Sequence, residues 1–255
     1  MKFDLTDVTF MIPIRVDSLV RLENLMLTTR FLTEHFNCHI IVLEADTCNN
    51  GIIRNMLGKR VEYYFVEDDD AVFYRTRYIN RMTEKVETPF LCIWDADVVV
   101  PVPQIAEAVG KMRTEGFEVA LPYDGRALDT SVPVRELFMQ SRRMSVLQRQ
   151  QNKMNPLHKN LTLRGGAVFV NTVAYMKAGM ENLSFYGWGS EDFDRYERWT
   201  ILGYKIYITK GVLYHLTHPR GENSTFSRKN QVIGSETALF RTRVSSRQEL
   251  LERVK

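Results

Sequence analysis

The first half of the chain alternates short, nearly continuous apolar runs with segments whose apolar positions recur every three or four residues. Val8–Ile14 is an apolar run closed by Pro13 and Arg15 and predicts a buried strand. In the 17–36 segment that follows, Leu19, Leu22, Leu25, Met26 and Thr29 fall at helical spacing, and Asp17 or Ser18 is placed to cap the first turn. His39–Asp46, Val61–Glu67 and Phe90–Asp97 predict three further strands, and Glu118–Pro122 another. Arg75–Val86 and Pro103–Thr114 predict helices. Strands alternating with helices indicate a mostly parallel sheet with helices on both faces. Ligands of such sheets bind beyond the carboxyl ends of the strands. The polar residues there are therefore candidates: Arg15 after the first strand, Glu44 and Asp46 after the second, Asp95 and Asp97 after the fourth.

The second half is less regular. Val134–Gln151 predicts a basic amphipathic helix, Arg164–Asn171 a glycine turn entering a strand, and Glu191–Leu202 a helix. Tyr204–Ile208 and Val212–Leu216 predict strands, and Arg241–Lys255 a short amphipathic helix, read as a solvated terminal helix with membrane-surface attachment as the lesser option. There is no internal repeat and no low-complexity linker, so 1–255 reads as one domain.

Composition narrows the class. The 255 residues carry 34 Lys and Arg against 31 Asp and Glu, a net charge of +3, with 44% hydrophobic and 25% charged residues. These are ordinary globular values; they exclude a disordered chain and a strongly basic nucleic-acid binder. Cys38, Cys48 and Cys92 are too few and too scattered for a disulfide framework or a four-cysteine zinc site, which points to a reducing compartment. The start of the chain has no signal-peptide core, and no run reaches the length of a membrane span.

Several familiar sites are missing. The turn after the first strand reads Pro13-Ile14-Arg15-Val16-Asp17-Ser18 rather than a glycine-rich dinucleotide loop. Six residues separate Gly51 from Gly58, too many for a P-loop, and no nucleophile elbow is present.

Four local patterns carry chemistry. Asp95 and Asp97 at a strand end point to one side, where two like charges need a cation; Mg²⁺ or Mn²⁺ with phosphate oxygens suits such a pair. His215 and His218, two of only five histidines, can supply imidazoles to a metal. Tyr186-Gly187-Trp188-Gly189-Ser190-Glu191-Asp192-Phe193-Asp194 sets an aromatic ring between glycines and beside acids that open a helix, a common way to hold a sugar. Phe73-Tyr74-Arg75-Thr76-Arg77 interleaves rings and cations that can hold a base and phosphates.

In this order the patterns resemble a GT-A-fold glycosyltransferase, close to the β-1,4-galactosyltransferase group and related family-2 sugar transferases, over roughly Val8 to Asn223. Ile12-Pro13-Ile14-Arg15 resembles the first-strand motif that contacts the nucleotide. Phe73–Arg77 with Asn80 resembles the segment that meets uracil. Asp95-Ala96-Asp97 resembles the Asp-Val-Asp (DXD) metal motif, and Arg164-Gly165-Gly166 the turn beside the donor sugar. Tyr186–Asp194 resembles the acceptor and catalytic loop, and His215-Leu216-Thr217-His218 a Met-x-x-His metal segment. Tyr186 stands in place of tryptophan, Ser190 of glycine, Phe193 of an acid and His215 of methionine.

The resemblance implies a GT-A-like α/β fold, a mixed and mostly parallel central sheet with flanking helices. Residues 1–122 form the nucleotide-binding half, 123–236 the acceptor and catalytic half, and 237–255 a C-terminal helix. It implies a metal-dependent inverting hexosyltransferase using a UDP-sugar, with galactose or N-acetylgalactosamine first and glucose second, acting on a saccharide or lipid-linked saccharide in cell-surface polysaccharide assembly. Mn²⁺ or Mg²⁺ falls to Asp97 and His218, with His215 as an extra ligand; the nucleotide to Pro13, Arg15, Phe73, Arg75 and Asp95, with Glu44 or Asp46 reaching base or ribose. Donor and acceptor sugars fall to Gly165, Gly166, Tyr186, Trp188 and Glu191. Asp192 is the proton acceptor, reversible with its neighbour Glu191. The 220–234 segment is expected to close over the donor. A bacterial cytoplasmic enzyme with at most peripheral membrane contact and no nucleic-acid partner is expected. The rivals are a nucleotidyltransferase, which should carry a glycine-rich loop near the first strand, and a catalytically silent sugar-nucleotide or glycan binder, which would be expected to lose the carboxylates.

Overall fold

The computed structural model describes residues 2–221 and 229–253. In chain order the first half contains β1 (Phe3–Ile14), α1 (Leu19–His35), β2 (Phe36–Asp46), α2 (Ile52–Met56), β3 (Glu62–Glu67), α3 (Arg75–Thr83), β4 (Phe90–Trp94), β5 (Val98–Val99), α4 (Val102–Glu115) and β6 (Val119–Leu121). The second half contains β7 (Ala127–Asp129), α5 (Val132–Ser141), α6 (Met144–Arg149), β8 (Asn155–Pro156), β9 (Ala167–Asn171), α7 (Thr172–Lys177), α8 (Glu191–Leu202), β10 (Ile206–Ile208), β11 (Leu213–His215), α9 (Lys229–Val244) and α10 (Arg247–Arg253).

Seven strands form the central sheet in the order β10-β6-β9-β4-β1-β2-β3. All neighbours are parallel except β9, which runs antiparallel to both β4 and β6. β1 lies between β4 and β2 and is buried continuously from Val8 to Ile14, which explains its lack of polar alternation. β3 is one of the two edge strands and only half-buried. Ser18 caps α1 by accepting from the Arg21 amide, while Asp17 pairs with the Arg21 side chain at 3.0 Å. The mixed, mostly parallel sheet with flanking helices is the architecture expected from the sequence.

A second sheet of four short strands, β5-β11-β7-β8, packs beside the first. Its strands are two or three residues long; β11 falls inside the predicted strand Val212–Leu216, whereas β5, β7 and β8 are too short for an apolar pattern to announce them. The predicted strand Phe90–Asp97 ends early, at Trp94, because the chain turns at Asp95 and passes into β5. The helix expected over Val134–Gln151 is two helices, broken where Arg142 takes a left-handed backbone with φ of 54°. Residues 222–228 of the expected closing segment lie outside the described residues, and from Lys229 it is the start of α9 rather than a loop. No helix among the described residues is long and apolar enough to cross a membrane.

Candidate active site

The carboxyl ends of β1 and β4 open onto a cavity of about 400 Å³. Pro13, Arg15, Phe73, Arg75, Asp95, Asp97, Gly165, Gly166, Trp188, Glu191, Asp192, His215 and His218 all line it. Glu44, Asp46 and Tyr186 lie outside that lining. Glu44 is buried and accepts a hydrogen bond from the Tyr63 hydroxyl; burial raises its carboxyl above the usual range. Asp46 accepts from the Thr47 amide at 2.8 Å. The Tyr186 hydroxyl donates to Asp70 at 2.6 Å, and its ring meets Tyr74 edge-on at 5.3 Å.

One end of the cavity is built by the second sheet. The Trp94 indole N–H donates to the Val98 carbonyl at 3.1 Å and holds the turn through Asp95 and Asp97. β11 lies between β5 and β7, with His215 opposite Val98 on one side and Asp129 on the other. That register brings His215 beside Asp97. His215 Nε2 lies 3.6 Å from Asp97 Oδ1, and His218 Nε2 3.1 Å from Oδ2. Arg21 Nη1 stands at 3.9 Å from Oδ2. Each histidine uses its other nitrogen elsewhere: His215 Nδ1 meets Asp129 Oδ1 at 2.8 Å, and His218 Nδ1 the Pro219 carbonyl at 2.8 Å. A carbonyl only accepts, so His218 Nδ1 carries the proton; Arg21 Nη2, at 3.5 Å from the same nitrogen, is the longer contact.

Both rings thus aim Nε2 at one carboxylate. A neutral imidazole in that pose sets a lone pair against a carboxylate oxygen, which calls for a proton or a metal ion between them. One ligand atom from each of Asp97, His215 and His218 lies within 4.8 Å of the others, and a donor set of one carboxylate and two imidazoles fits a divalent ion such as Mn²⁺. Burial alone would raise the Asp97 carboxyl; His215, His218 and Arg21 outweigh it and hold it well below the usual range. Burial lowers the His215 imidazole, and Asp97 and Asp129 reverse this to a net rise.

The other end is built by the loop entering α8. Gly187, Gly189 and Ser190 take left-handed backbones with φ of 89°, 111° and 65°, which turns the chain sharply so that Glu191 and Asp192 open the helix facing inward. Glu191 reaches back to accept from the Gly189 amide at 3.1 Å. The Asp192 carboxylate rests on Gly165, where any Cβ would fall 1.7 Å from Asp192 Oδ2. Arg75 joins this end to the DXD turn, with Nη2 2.6 Å from Asp95 and Nη1 3.5 Å from Glu191 and 3.9 Å from Asp192. Behind it the buried Arg195 pairs with Asp192 and, at 2.7 Å, with Glu181. Burial, with Asp192 beside it, pushes the Glu191 carboxyl up to about 7. Burial would raise Asp192 too, but Arg195 and Arg75 outweigh it and keep its carboxyl below the usual range. Asp192 is therefore ionised at neutral pH, and its side chain is 27% exposed against 8% for Glu191.

Arg15 does not present a free fork. Its Nε donates to the Ala45 carbonyl at 2.8 Å, Nη1 to the Asp70 carbonyl at 2.6 Å and Nη2 to Asp68 at 2.8 Å. It pins the 68–70 loop beside Phe73, whose ring centroid lies 5.7 Å from the guanidinium. Two other lining arginines, Arg164 and Arg220, have no hydrogen bond or ion pair with any described residue. Sequence reasoning singled out neither as a ligand. Their adjacency to the glycine turn and to His218 was the available signal.

No protein-family model matches the chain, and no curated protein sequence matches it. Solved structures with the same fold include the catalytic domain of Drosophila β1,4-galactosyltransferase 7, in complex with xylobiose, at 12% identity and a TM-score of 0.56, over 91% of this chain and 79% of that one. They also include a mannosyltransferase from Pyrobaculum calidifontis, in complex with GDP-Man and Mn²⁺, at 14% identity and a TM-score of 0.54. The fold is GT-A-like. The match to the mannosyltransferase covers 85% of this chain, which spans 58% of that enzyme's length.

Proposed function

We propose that this chain is a metal-dependent, inverting glycosyltransferase that moves a hexose from a UDP-sugar to a saccharide acceptor. The observation that carries this reading is one cavity with Asp97, His215 and His218 at one end and the ionised Asp192 at the other. The two similar structures, one with GDP-Man and Mn²⁺ and one of a galactosyltransferase with xylobiose, support a nucleotide-sugar donor, a divalent ion and a saccharide acceptor.

Asp97, His215 and His218 would hold Mn²⁺ or Mg²⁺, and the bound ion supplies charge neutralisation for the departing diphosphate. The chain's own residues do the rest. Pro13 and Phe73 offer apolar surface to the base, and Arg220 faces the diphosphate as an uncommitted cation. Asp95, held by Arg75, presents its exposed edge to ribose or donor sugar. Gly165 and Gly166 line the cavity beside Asp192 and Asp95, where the donor ring would sit. Trp188 stacks on the acceptor ring, Glu191 binds its hydroxyls, and Asp192 takes the proton from the attacking hydroxyl. The acceptor oxygen bonds to the anomeric carbon as the bond to the diphosphate oxygen breaks on the opposite face. One such displacement turns an α-linked donor into a β-linked product. Galactose or N-acetylgalactosamine is the first choice of sugar and glucose the second. We place the enzyme on the cytoplasmic side of bacterial cell-surface polysaccharide assembly.

Metal-dependent UDP release from UDP-galactose, UDP-N-acetylgalactosamine and UDP-glucose, with and without simple saccharide acceptors, tests this directly. Transfer should need Mn²⁺ or Mg²⁺ and give a β-linked product by NMR. Full activity in EDTA, or an α-linked product, would overturn the mechanism.

A peripheral membrane contact is supported by α9. This helix packs Ser235, Ala238 and Thr242 inward and leaves Ile233, Phe240 and Val244 exposed at helical spacing. Residues 229–255 hold Lys229, Arg241, Arg243, Arg247, Arg253 and Lys255 against Glu236, Glu249 and Glu252, so this segment accounts for the whole net charge of +3. An apolar stripe flanked by cations suits an anionic lipid surface and a lipid-linked acceptor. The protein should co-sediment with phosphatidylglycerol vesicles and not with phosphatidylcholine vesicles, and Phe240→Glu should release it. No vesicle binding by the wild type would remove the membrane from the proposal.

A further inference from the structure

We infer that Arg164 forms an anion subsite on the acceptor side of the cavity, recognising a carboxylate or phosphate on the acceptor; this rests on the glycosyl-transfer reading of the same site. Three other lining arginines are already matched: Arg15 with Asp68, Arg21 with Asp17 and Arg75 with Asp95. Arg164 is not. Its guanidinium stacks on the Tyr196 ring at 4.2 Å from the centroid, and its Nη1 is buried with no hydrogen-bond partner. A buried donor left unbonded is costly, more so when charged. Stacking engages only the face of the guanidinium. The in-plane N–H groups have no partner among the described residues, and a guanidinium fork matches the two oxygens of a carboxylate or phosphate.

Position assigns the anion to the acceptor. Arg164 immediately precedes Gly165, on which the Asp192 carboxylate rests. Tyr196, which carries the guanidinium, lies one helical turn beyond Asp192 on the same face of α8. These two links put Arg164 on the Asp192 side of the cavity. The donor diphosphate has its own cations at the other end, in the Asp97, His215 and His218 ion site and Arg220. Arg164 is one cation more than a UDP-hexose and a neutral acceptor would need.

The chain loaded with UDP and Mn²⁺ is titrated, with NMR detection, against methyl β-glucuronide, glucose 1-phosphate and the neutral methyl β-glucoside. At least one anionic probe should bind about 10–100-fold tighter than the glucoside, the usual size of a charge-assisted pair. Which one it is separates a uronic acid from a phosphate. In Arg164→Gln the preference should collapse toward one, and in Arg164→Lys part of it should remain. A UDP–Mn²⁺ titration of each variant checks that it is folded. The subsite is overturned if neither anion beats the glucoside in the wild type, or if the preference survives in Arg164→Gln. A preference for UDP-glucuronic acid over UDP-glucose that Arg164→Gln removes would move the anion to the donor and overturn the acceptor assignment. Failure of the wild type to bind UDP at all would instead defeat the glycosyl-transfer reading, and the subsite with it.

Discussion

The two ends of the cavity follow opposite electrostatic plans. At one, a single carboxylate, Asp97, faces two imidazoles and Arg21. At the other, Asp95, Glu191 and Asp192 surround Arg75, with Arg195 behind. The first end brings lone pairs toward one another and so calls for a divalent ion. The second is neutralised from within by arginines that cannot lose their charge. These arginines also make the adjacent acids titrate differently, leaving Asp192 ionised while burial keeps Glu191 near half-protonated at neutral pH. Separating neighbouring titratable groups in this way assigns them different roles.

The largest expected effect tests whether the ends are separable. Asp192→Asn should lower turnover by about 10²–10⁴, the range of general-base catalysis, while UDP and metal still bind. Asp97→Asn and His218→Ala should do the reverse, removing metal-dependent UDP binding first, as read by calorimetry. The pH profile of kcat, taken at saturating metal and donor, sharpens the choice of base. With Asp192 as base the rate stays flat down into the carboxylate range. A fall below pH of about 7 that disappears in Glu191→Gln would give the role to Glu191.

Next in size is a stability effect confined to the second end. Glu191 ionises near 4.5 in a solvated chain and near 7 when folded. Between those values the folded state holds the proton that the unfolded state has lost, so stability falls as pH rises through this window. The cost is complete above pH 7 and amounts to about 3 kcal/mol. Glu191→Gln should therefore be more stable than the wild type at pH 8, with the difference shrinking toward pH 4.5 in urea unfolding. An equal difference at both pH values would show that the burial of Glu191 carries no such penalty.

The same contrast explains what could be read from the sequence. The first-half wall was legible because its strands are long buried runs, and the strand ends expose Arg15, Asp95 and Asp97 by rule. His215 and His218 were legible as residue types, and β11 as a short strand, but not the register with Val98 and Asp129 that aims His215, since β5 and β7 are too short to show a pattern. The true commitments of Arg15, to Ala45, Asp68 and Asp70, depend on a loop far away in sequence. α9 escaped because it reverses the usual amphipathic rule, packing small and polar residues inward and apolar ones outward. Arg164 was visible, but its lack of a partner is a property of the folded chain alone.

The smallest effect lies in the backbone of the second end. Ser190 holds φ at 65° and ψ at −6°, a left-handed conformation, directly between Gly189 and the acids. For a residue with a Cβ this costs roughly 1–2 kcal/mol. Replacing it with glycine removes the steric cost but frees the unfolded chain, which returns about 0.4–1 kcal/mol. The balance favours Ser190→Gly by about 0.5 kcal/mol, or a rise of about 1–2 °C in Tm for a chain of this size. The gain should come with a looser loop. Glu191 and Asp192 are positioned by the turn that Ser190 completes, so turnover should fall modestly, by less than tenfold, while UDP binding at the metal end stays unchanged. A lower Tm in Ser190→Gly would mean that the serine side chain stabilises the turn by more than the strain it causes. A loss of UDP binding would mean that the two ends of the cavity are not independent.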